Sequence, residues 1–211
     1  MTDALAGKQQ TVFIVDDDEA MRDSLAWLLE SNALRVKAFE SGEAFLDAWH
    51  EGMAGCLVLD VRMPGISGLE LHERLQALRS TLPIVFVTGH GDVPMAVSVL
   101  KKGAADFIEK PFNDKDILRL IEQCLAVDRE QSGRRRRHAE IGRRLANLTP
   151  REREVMDLMK SGRLNKQIAD DLGISIKTVE VHRARVMDKM EVRSVAELVQ
   201  CMMRTAGTPG E

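Results

Sequence analysis

Apolar residues in the first 125 positions follow two alternating rhythms. Thr11–Val15 (TVFIV) is short, apolar and β-branched, and Leu34–Phe39, Cys56–Leu59, Ile84–Thr88 and Asp106–Glu109 have the same strand-like character. Between them, Met21, Leu25, Leu28 and Leu29 recur at helical spacing, as do Leu69, His72, Leu75 and Leu78. Further helices are expected at Gly42–Glu51, Val93–Lys102 and Asp114–Leu125. Five repeats of strand then helix predict an α/β domain with a parallel sheet covered on both faces. Right-handed crossovers make it doubly wound, and ligands of such sheets bind beyond the carboxyl ends of the strands.

The rhythm then changes. Val127–Ala146 (VDREQSGRRRRHAEIGRRLA) is charged throughout and contains the run Arg134–Arg137. It reads as a linker, either a solvated tether or a basic helix that also touches nucleic acid. From Thr149 the pattern is wholly helical. Thr149-Pro150-Arg151-Glu152 places Thr at the N-cap, Pro at the first helical position and Glu at the third, a start signal for a helix to about Lys160. Asn165 is expected to cap a helix over Lys166–Leu172 that stops at Gly173, and Ser175 to cap Ile176–Met190. A last helix is expected over Val195–Arg204, followed by a frayed tail. The expected organisation is therefore a first domain over 10–127, a basic helical linker over 128–146, a four-helix domain over 147–205 and a flexible tail over 206–211.

Composition refines this picture in two places. The 211 residues carry a net charge of −3, but residues 1–127 hold 12 Lys+Arg against 20 Asp+Glu, and residues 128–211 hold 18 against 13. An acidic half joined to a basic half points to a polyanion partner for the second half alone. Cys56, Cys124 and Cys201 are far apart and odd in number, so reduced thiols are expected, and the five histidines show no zinc-type spacing. No apolar run reaches membrane-spanning length and the N-terminus has no signal-peptide pattern, so a cytoplasmic protein is expected.

The chemical signal lies at predicted strand ends. Asp16 and Asp17 follow the first strand, Asp60 ends the third, Thr88 the fourth and Lys110 the fifth. A parallel sheet brings these ends to one edge. Clustered carboxylates repel, and a hard divalent cation with oxygen preference, Mg²⁺, relieves the repulsion with two carboxylates, a backbone carbonyl and waters. Asp60 is then placed to attack phosphorus, with Lys110 and Thr88 to stabilise the charge on the phosphoryl oxygens. Asp18 or Glu19 is expected simply to cap the first helix.

These residues carry a family resemblance. IVDDDE, LVLDVRMPGISG, VTGHGD and DFIEKPF resemble the receiver domain of two-component response regulators, FixJ branch, over about Thr11–Leu125. The resemblance implies a five-stranded flavodoxin/CheY-like fold, with Asp60 as phosphoacceptor. It also implies Mg²⁺ held by Asp16, Asp17, Asp60 and the Arg62 backbone carbonyl, phosphoryl contacts from Thr88 and Lys110, and Phe107 as an aromatic switch. A sensor histidine kinase is the implied phosphate donor. Phosphoaspartyl phosphatases of the haloacid-dehalogenase type are a rival, but they need a second Asp two residues after the nucleophile, where this chain has Arg62. A stored phosphate and no enzyme is the expectation.

In the basic half, Ile168, Ala169 and Leu172 form one apolar face, Gly173 permits a turn and Ile174 plugs it, which predicts a helix-turn-helix. Val179, His182, Val186 and Met190 fall on the core-facing side of the next helix, where His182 reads as a satisfied, half-buried histidine. Lys177, Thr178, Glu180, Val181, Arg183 and Ala184 occupy the opposite side, with groups suited to phosphates and base edges. LTPREREV, NKQIA, LGIS and KTVEVHR resemble the LuxR/FixJ-type DNA-binding domain over about Leu148–Met203. That resemblance implies Asn165 and Lys166 near backbone phosphate, Lys189 on phosphate at the helix end, dimerisation on phosphorylation, paired DNA half-sites and transcriptional control leaning to activation, with RNA polymerase a further candidate partner. A basic domain that docks on a protein instead of DNA is the second rival, separable by salt-sensitive DNA binding.

Overall fold

The computed structural model describes residues 10–89 and 105–206, with side chains described as far as Met203. The expected helix at Val93–Lys102 lies outside the described residues, as does all but the first residue of the tail. Five strands form one parallel sheet: β1 (Thr11–Val15), β2 (Val36–Phe39), β3 (Gly55–Asp60), β4 (Ile84–Thr88) and β5 (Asp106–Glu109), in the order β2-β1-β3-β4-β5. The described crossovers are helices α1 (Glu19–Ser31), α2 (Gly42–Ala48) and α3 (Gly68–Ala77). Helix α4 (Asp114–Ala146) follows β5.

Strand alternation sorts the core onto two faces. Phe13, Val15, Leu57, Leu59 and Phe86 meet Phe45 of α2 and Leu71 and Leu75 of α3 on one face. Val12, Ile14, Cys56, Val58, Val85 and Val87 meet Leu25 and Leu29 of α1 and Ile117, Ile121 and Cys124 of α4 on the other. Each fully buried large apolar side chain contributes about 1.5–3 kcal/mol, so both faces of the central strands are held by helices.

Several boundaries differ from the sequence expectation for identifiable reasons. The second strand begins at Val36, not Leu34, because the Leu34 amide donates to Leu29 O at 3.0 Å and closes the end of α1, with Ala33 in the left-handed region. Helix α2 stops at Ala48, where Trp49 turns extended and packs against the core. In α3 the buried stripe is Leu71, His72 and Leu75, and Leu78 is exposed at the C-cap.

The described residues divide into two compact units, one up to Ser132 and one from Gly133. Residue 128, expected to open a solvated linker, instead belongs to the first unit. Asp128 is 1% exposed, and its carboxylate accepts from Gly55 N at 3.0 Å and Gln10 Nε2 at 2.7 Å. Gly55 has φ 137°, and a Cβ there would lie 1.8 Å from Thr11 O, so only glycine lets the chain pass at this point.

The second unit contains α5 (Pro150–Lys160), α6 (Asn165–Leu172), α7 (Ile176–Met190) and α8 (Val195–Ala206). Its core is Val155, Met156, Met159, Ile168, Ala169, Val179, Val186, Met190 and Leu198, joined by Ile141 and Leu148. The Thr149/Glu152 capping box is present, and Gly173 sits in the left-handed region at φ 63°. Asn165 is not the cap of its helix: Leu164 takes that position, and its amide is satisfied by Gln167 Oε1 at 2.9 Å.

Candidate functional site

Asp16, Asp17 and Asp60 converge at the carboxyl edge of the sheet, with ligand atoms all within 4.8 Å of one another. Asp60 is the last residue of β3 and Asp16 the first after β1, adjacent strands in parallel register. Asp16 and Asp60 are buried and Asp17 is exposed. Lys110 closes the set from the end of β5: its Nζ lies 2.9 Å from Asp16 Oδ2 and 3.1 Å from Asp60 Oδ1. Thr88 ends β4, is 3% exposed, and its carbonyl accepts the Lys110 amide at 2.7 Å. Its hydroxyl donates to Gly89 O at 3.3 Å. The Arg62 amide donates to Asp60 Oδ2 at 3.2 Å. Phe107 is half-buried on β5 and packs against the first core face. The Lys110–Pro111 bond is cis.

Burial holds the Asp60 carboxyl above the usual carboxylate range; Lys110 pulls against that rise and the charge of Asp16 adds to it. Burial acts to lower the Lys110 ammonium, but its bonds to Asp16 and Asp60 outweigh this and raise it. Three carboxylates facing one small space, with one oxygen each to offer, are a donor set for a hard cation that keeps part of its water shell.

In the second unit, Ser175 Oγ accepts the Thr178 amide at 3.1 Å and starts α7 directly after the Gly173 turn. Val179, Val186 and Met190 are buried, so the opposite face of α7 is left to solvent: Lys177, Glu180, Val181, Ala184, Arg185 and Asp188 are exposed. Val181 is 45% exposed, an apolar side chain presented outward amid polar neighbours. This is a helix-turn-helix with its second helix open along one side.

Two family models match these two regions: response regulator receiver domain over residues 12–122, and bacterial regulatory proteins, luxR family, over residues 146–202. The transcriptional regulatory protein FixJ of Azorhizobium caulinodans is 48% identical over 200 residues, covering 95% of each chain. FixJ of Bradyrhizobium diazoefficiens is 46% identical, covering 92% of this chain and 94% of its own. Among solved structures, the response regulator StyR superposes with a TM-score of 0.88 at 44% identity, covering 93% of this chain and 99% of that one. Full-length FixJ from B. japonicum gives 0.59 at 44% identity, covering 96% and 100%. The chain belongs to the two-component response regulators. Its receiver domain implies a sensor kinase partner and its LuxR-type domain implies DNA binding; the family is one of transcriptional regulators, not enzymes.

The regulator's receiver site brings together Asp16, Asp17, Asp60 and Lys110, with Thr88 on the neighbouring strand end. Sequence reasoning missed Arg22, whose Nη1 donates to Asp16 O at 2.8 Å from α1. It also missed Gly68: a Cβ there would lie 2.1 Å from Asp60 O. Of the two candidates offered for the cap of α1, Asp18 takes the role, through Ala20 and Met21 amides.

On the DNA-binding side, Lys166, Lys177, Glu180, Val181 and Ala184 are exposed, and Asn165, Thr178 and Arg183 are half-buried. Arg185, one position after Ala184, shares the exposed stripe and was not expected. Lys189, the remaining residue expected at phosphate, is half-buried at the end of α7. Its ammonium lies 2.7 Å from Glu152 Oε2 and 3.1 Å from Asn147 O. His182 is half-buried as expected but not satisfied: its Nδ1 is buried and finds no partner among the described residues. Among the described residues, no helix is long and apolar enough to cross a membrane.

Proposed function

We propose that Asp60 of this regulator accepts a phosphoryl group from a sensor histidine kinase and that the modification controls dimerisation and sequence-specific DNA binding. The observation that carries this reading is the meeting of Asp16, Asp17, Asp60 and Lys110 at one sheet edge. An Asp60 oxygen forms a bond to phosphorus as the bond from phosphorus to the kinase histidine nitrogen breaks, and that nitrogen keeps the electron pair. Asp16, Asp17, Asp60 and the Arg62 backbone carbonyl would hold Mg²⁺, which would supply positive charge to the phosphoryl oxygens. Lys110 then exchanges one carboxylate partner for a phosphoryl oxygen. The Thr88 hydroxyl turns to another, and Phe107 follows it inward.

In the second unit, Lys177, Thr178, Glu180, Val181, Arg183 and Ala184 face the major groove, and Asn165 and Lys166 lie near backbone phosphate. Two DNA-binding domains in a dimer engage paired half-sites, which raises affinity by linkage without new contacts. The functional boundaries follow: a receiver over 10–127, a basic linker over 128–146, a DNA-binding domain over 147–205 and a tail over 206–211. The linker's first turn, through Asp128, is anchored on the receiver. Transcriptional activation in the cytoplasm, with RNA polymerase as a further partner, completes the reading.

The test compares wild type with Asp60→Asn, each treated with acetyl phosphate and Mg²⁺. Light scattering measures oligomer size, and retention of genomic DNA fragments measures binding. Wild type is expected to dimerise and bind more tightly; the variant is expected to do neither. Equal responses would sink the proposed switch.

A further inference from the structure

The positive charge of the second unit is unevenly placed. Residues 149–206, which include the whole helix-turn-helix, hold 11 Lys+Arg against 9 Asp+Glu. Residues 133–148, on the last part of α4, hold six arginines against one glutamate. On α7 itself, the Lys189 charge is paired with Glu152 at 2.7 Å. Phosphate neutralisation supplies most of the sequence-independent affinity of a DNA-binding protein, and the helix-turn-helix alone carries little net charge for it.

The run Arg134–Arg137 is exposed at all four positions. Four consecutive residues at 100° intervals point all round a helix, so they form no apolar stripe and pack into no core. Arg134 and Arg137, three apart, repel each other, and Gly133 just before them lowers helix propensity further. Such a segment presents four exposed guanidinium groups within about one helical turn, a group type suited to phosphate oxygens. It is also tethered where DNA is expected. Arg144, further along the same helix, donates to Met190 O at 3.2 Å and pairs with Glu191 at 2.7 Å, at the end of α7. At about 1.5 Å per residue, Arg134–Arg137 lie roughly 10–15 Å along α4 from that joint. That is comparable with the screening length of about 10 Å at 0.1 M salt.

We infer that Arg134–Arg137 form a second, sequence-independent anchor for the phosphate backbone of duplex DNA, beside the recognition helix. The inference rests on the DNA-binding reading above and adds a site to it. The run sets non-specific affinity and salt dependence, and α7 sets sequence preference.

The full-length chain and a variant with all four arginines changed to glutamine, a good helix former, are titrated with a labelled 30-base-pair random duplex between 50 and 200 mM salt. Each phosphate that the protein no longer neutralises reduces the slope of log affinity against log salt by about 0.9, so the variant's slope is expected to be shallower by about two to four. A four-lysine variant is expected to keep the wild-type slope. Circular dichroism and thermal melts check that the glutamine chain is folded. If it does not fold, single Arg→Gln changes carry the test, each lowering the slope by up to about 0.9. A glutamine variant with the wild-type slope overturns the inference. So does an unchanged duplex slope accompanied by weakened binding to phosphatidylglycerol vesicles, which reassigns the run to a membrane surface. A wild type that shows no salt-dependent duplex binding overturns the DNA-binding reading itself, a result distinct from either.

Discussion

At the scale of single residues, two lysines do opposite jobs. Lys110 faces a site built for a ligand, bridging Asp16 and Asp60, the latter a carboxyl that burial makes costly to ionise. Its replacement by alanine is expected to slow phosphorylation of Asp60 by acetyl phosphate about a hundredfold, the order of effect of losing one preorganised charge on a reacting oxygen. Rates from phosphate-labelling kinetics near wild type would remove Lys110 from the reaction. Lys189, at the end of α7, ties that helix to the start of α5. Its bond to Glu152, with the Thr149 amide, holds the Glu152 carboxyl down to about 2 from 4.5. A depressed carboxylate contributes stability that is full above pH 4.5 and is lost as pH falls through about 2. Glu152→Gln is expected to cost about 2 kcal/mol at pH 7, the worth of a buried charge-assisted bond. In urea melts the gap between wild type and variant is expected to close as pH drops from 5 to 2; a gap independent of pH would mean the pair is not ionic.

At the scale of elements, caps explain where sequence patterning succeeded and where it slipped. Thr149, Ser175 and Asp18 take the cap positions their residue types favour, and the helices start where the pattern says. The α6 start slipped by one residue because Asn165 is a good cap by type, yet Gln167 reaches back to the Leu164 amide and fixes the start one position earlier. Leu164 is left 71% exposed with no oxygen to offer its helix. Leu164→Ser is therefore expected to stabilise the second unit by about 0.5–1 kcal/mol in thermal melts. An unchanged or lowered melting temperature would mean the leucine makes interactions that outweigh a cap. The helix expected over Asp114–Leu125 and the helical linker expected over 128–146 form one continuous helix, α4, because helix-compatible residues and the absence of proline let it run from Asp114 to Ala146. The buried end of the first unit at Asp128 carries no apolar signal at all.

At the scale of the whole molecule, the two units have separate cores, one wrapped around the sheet and one among the four C-terminal helices. Asp128 belongs only to the first. Asp128→Ala leaves the Gly55 amide without its side-chain acceptor and removes one of the two acceptors of Gln10 Nε2, which keeps Leu125 O, an expected loss of about 1–3 kcal/mol. Calorimetry is expected to show two unfolding transitions, with only the receiver transition shifted in the variant. A single transition, or a shift in both, would show that the units unfold as one.

Much of this protein was legible in one dimension. Strand order along the chain, the acidic and basic halves, the strand-end residues Asp60, Thr88 and Lys110, and the helix-turn-helix all follow from local periodicity and residue type, because each is a short-range property of the chain. Tertiary structure decided what depends on proximity between distant segments. It placed Lys110 on Asp16 and Asp60 across 94 and 50 residues of sequence. It paired Lys189 with Glu152, left His182 Nδ1 without a partner among the described residues, and made Asp128 a buried anchor. Sequence periodicity reports which face of an element is buried; only the packed fold fixes which charge meets which, since that depends on register between elements.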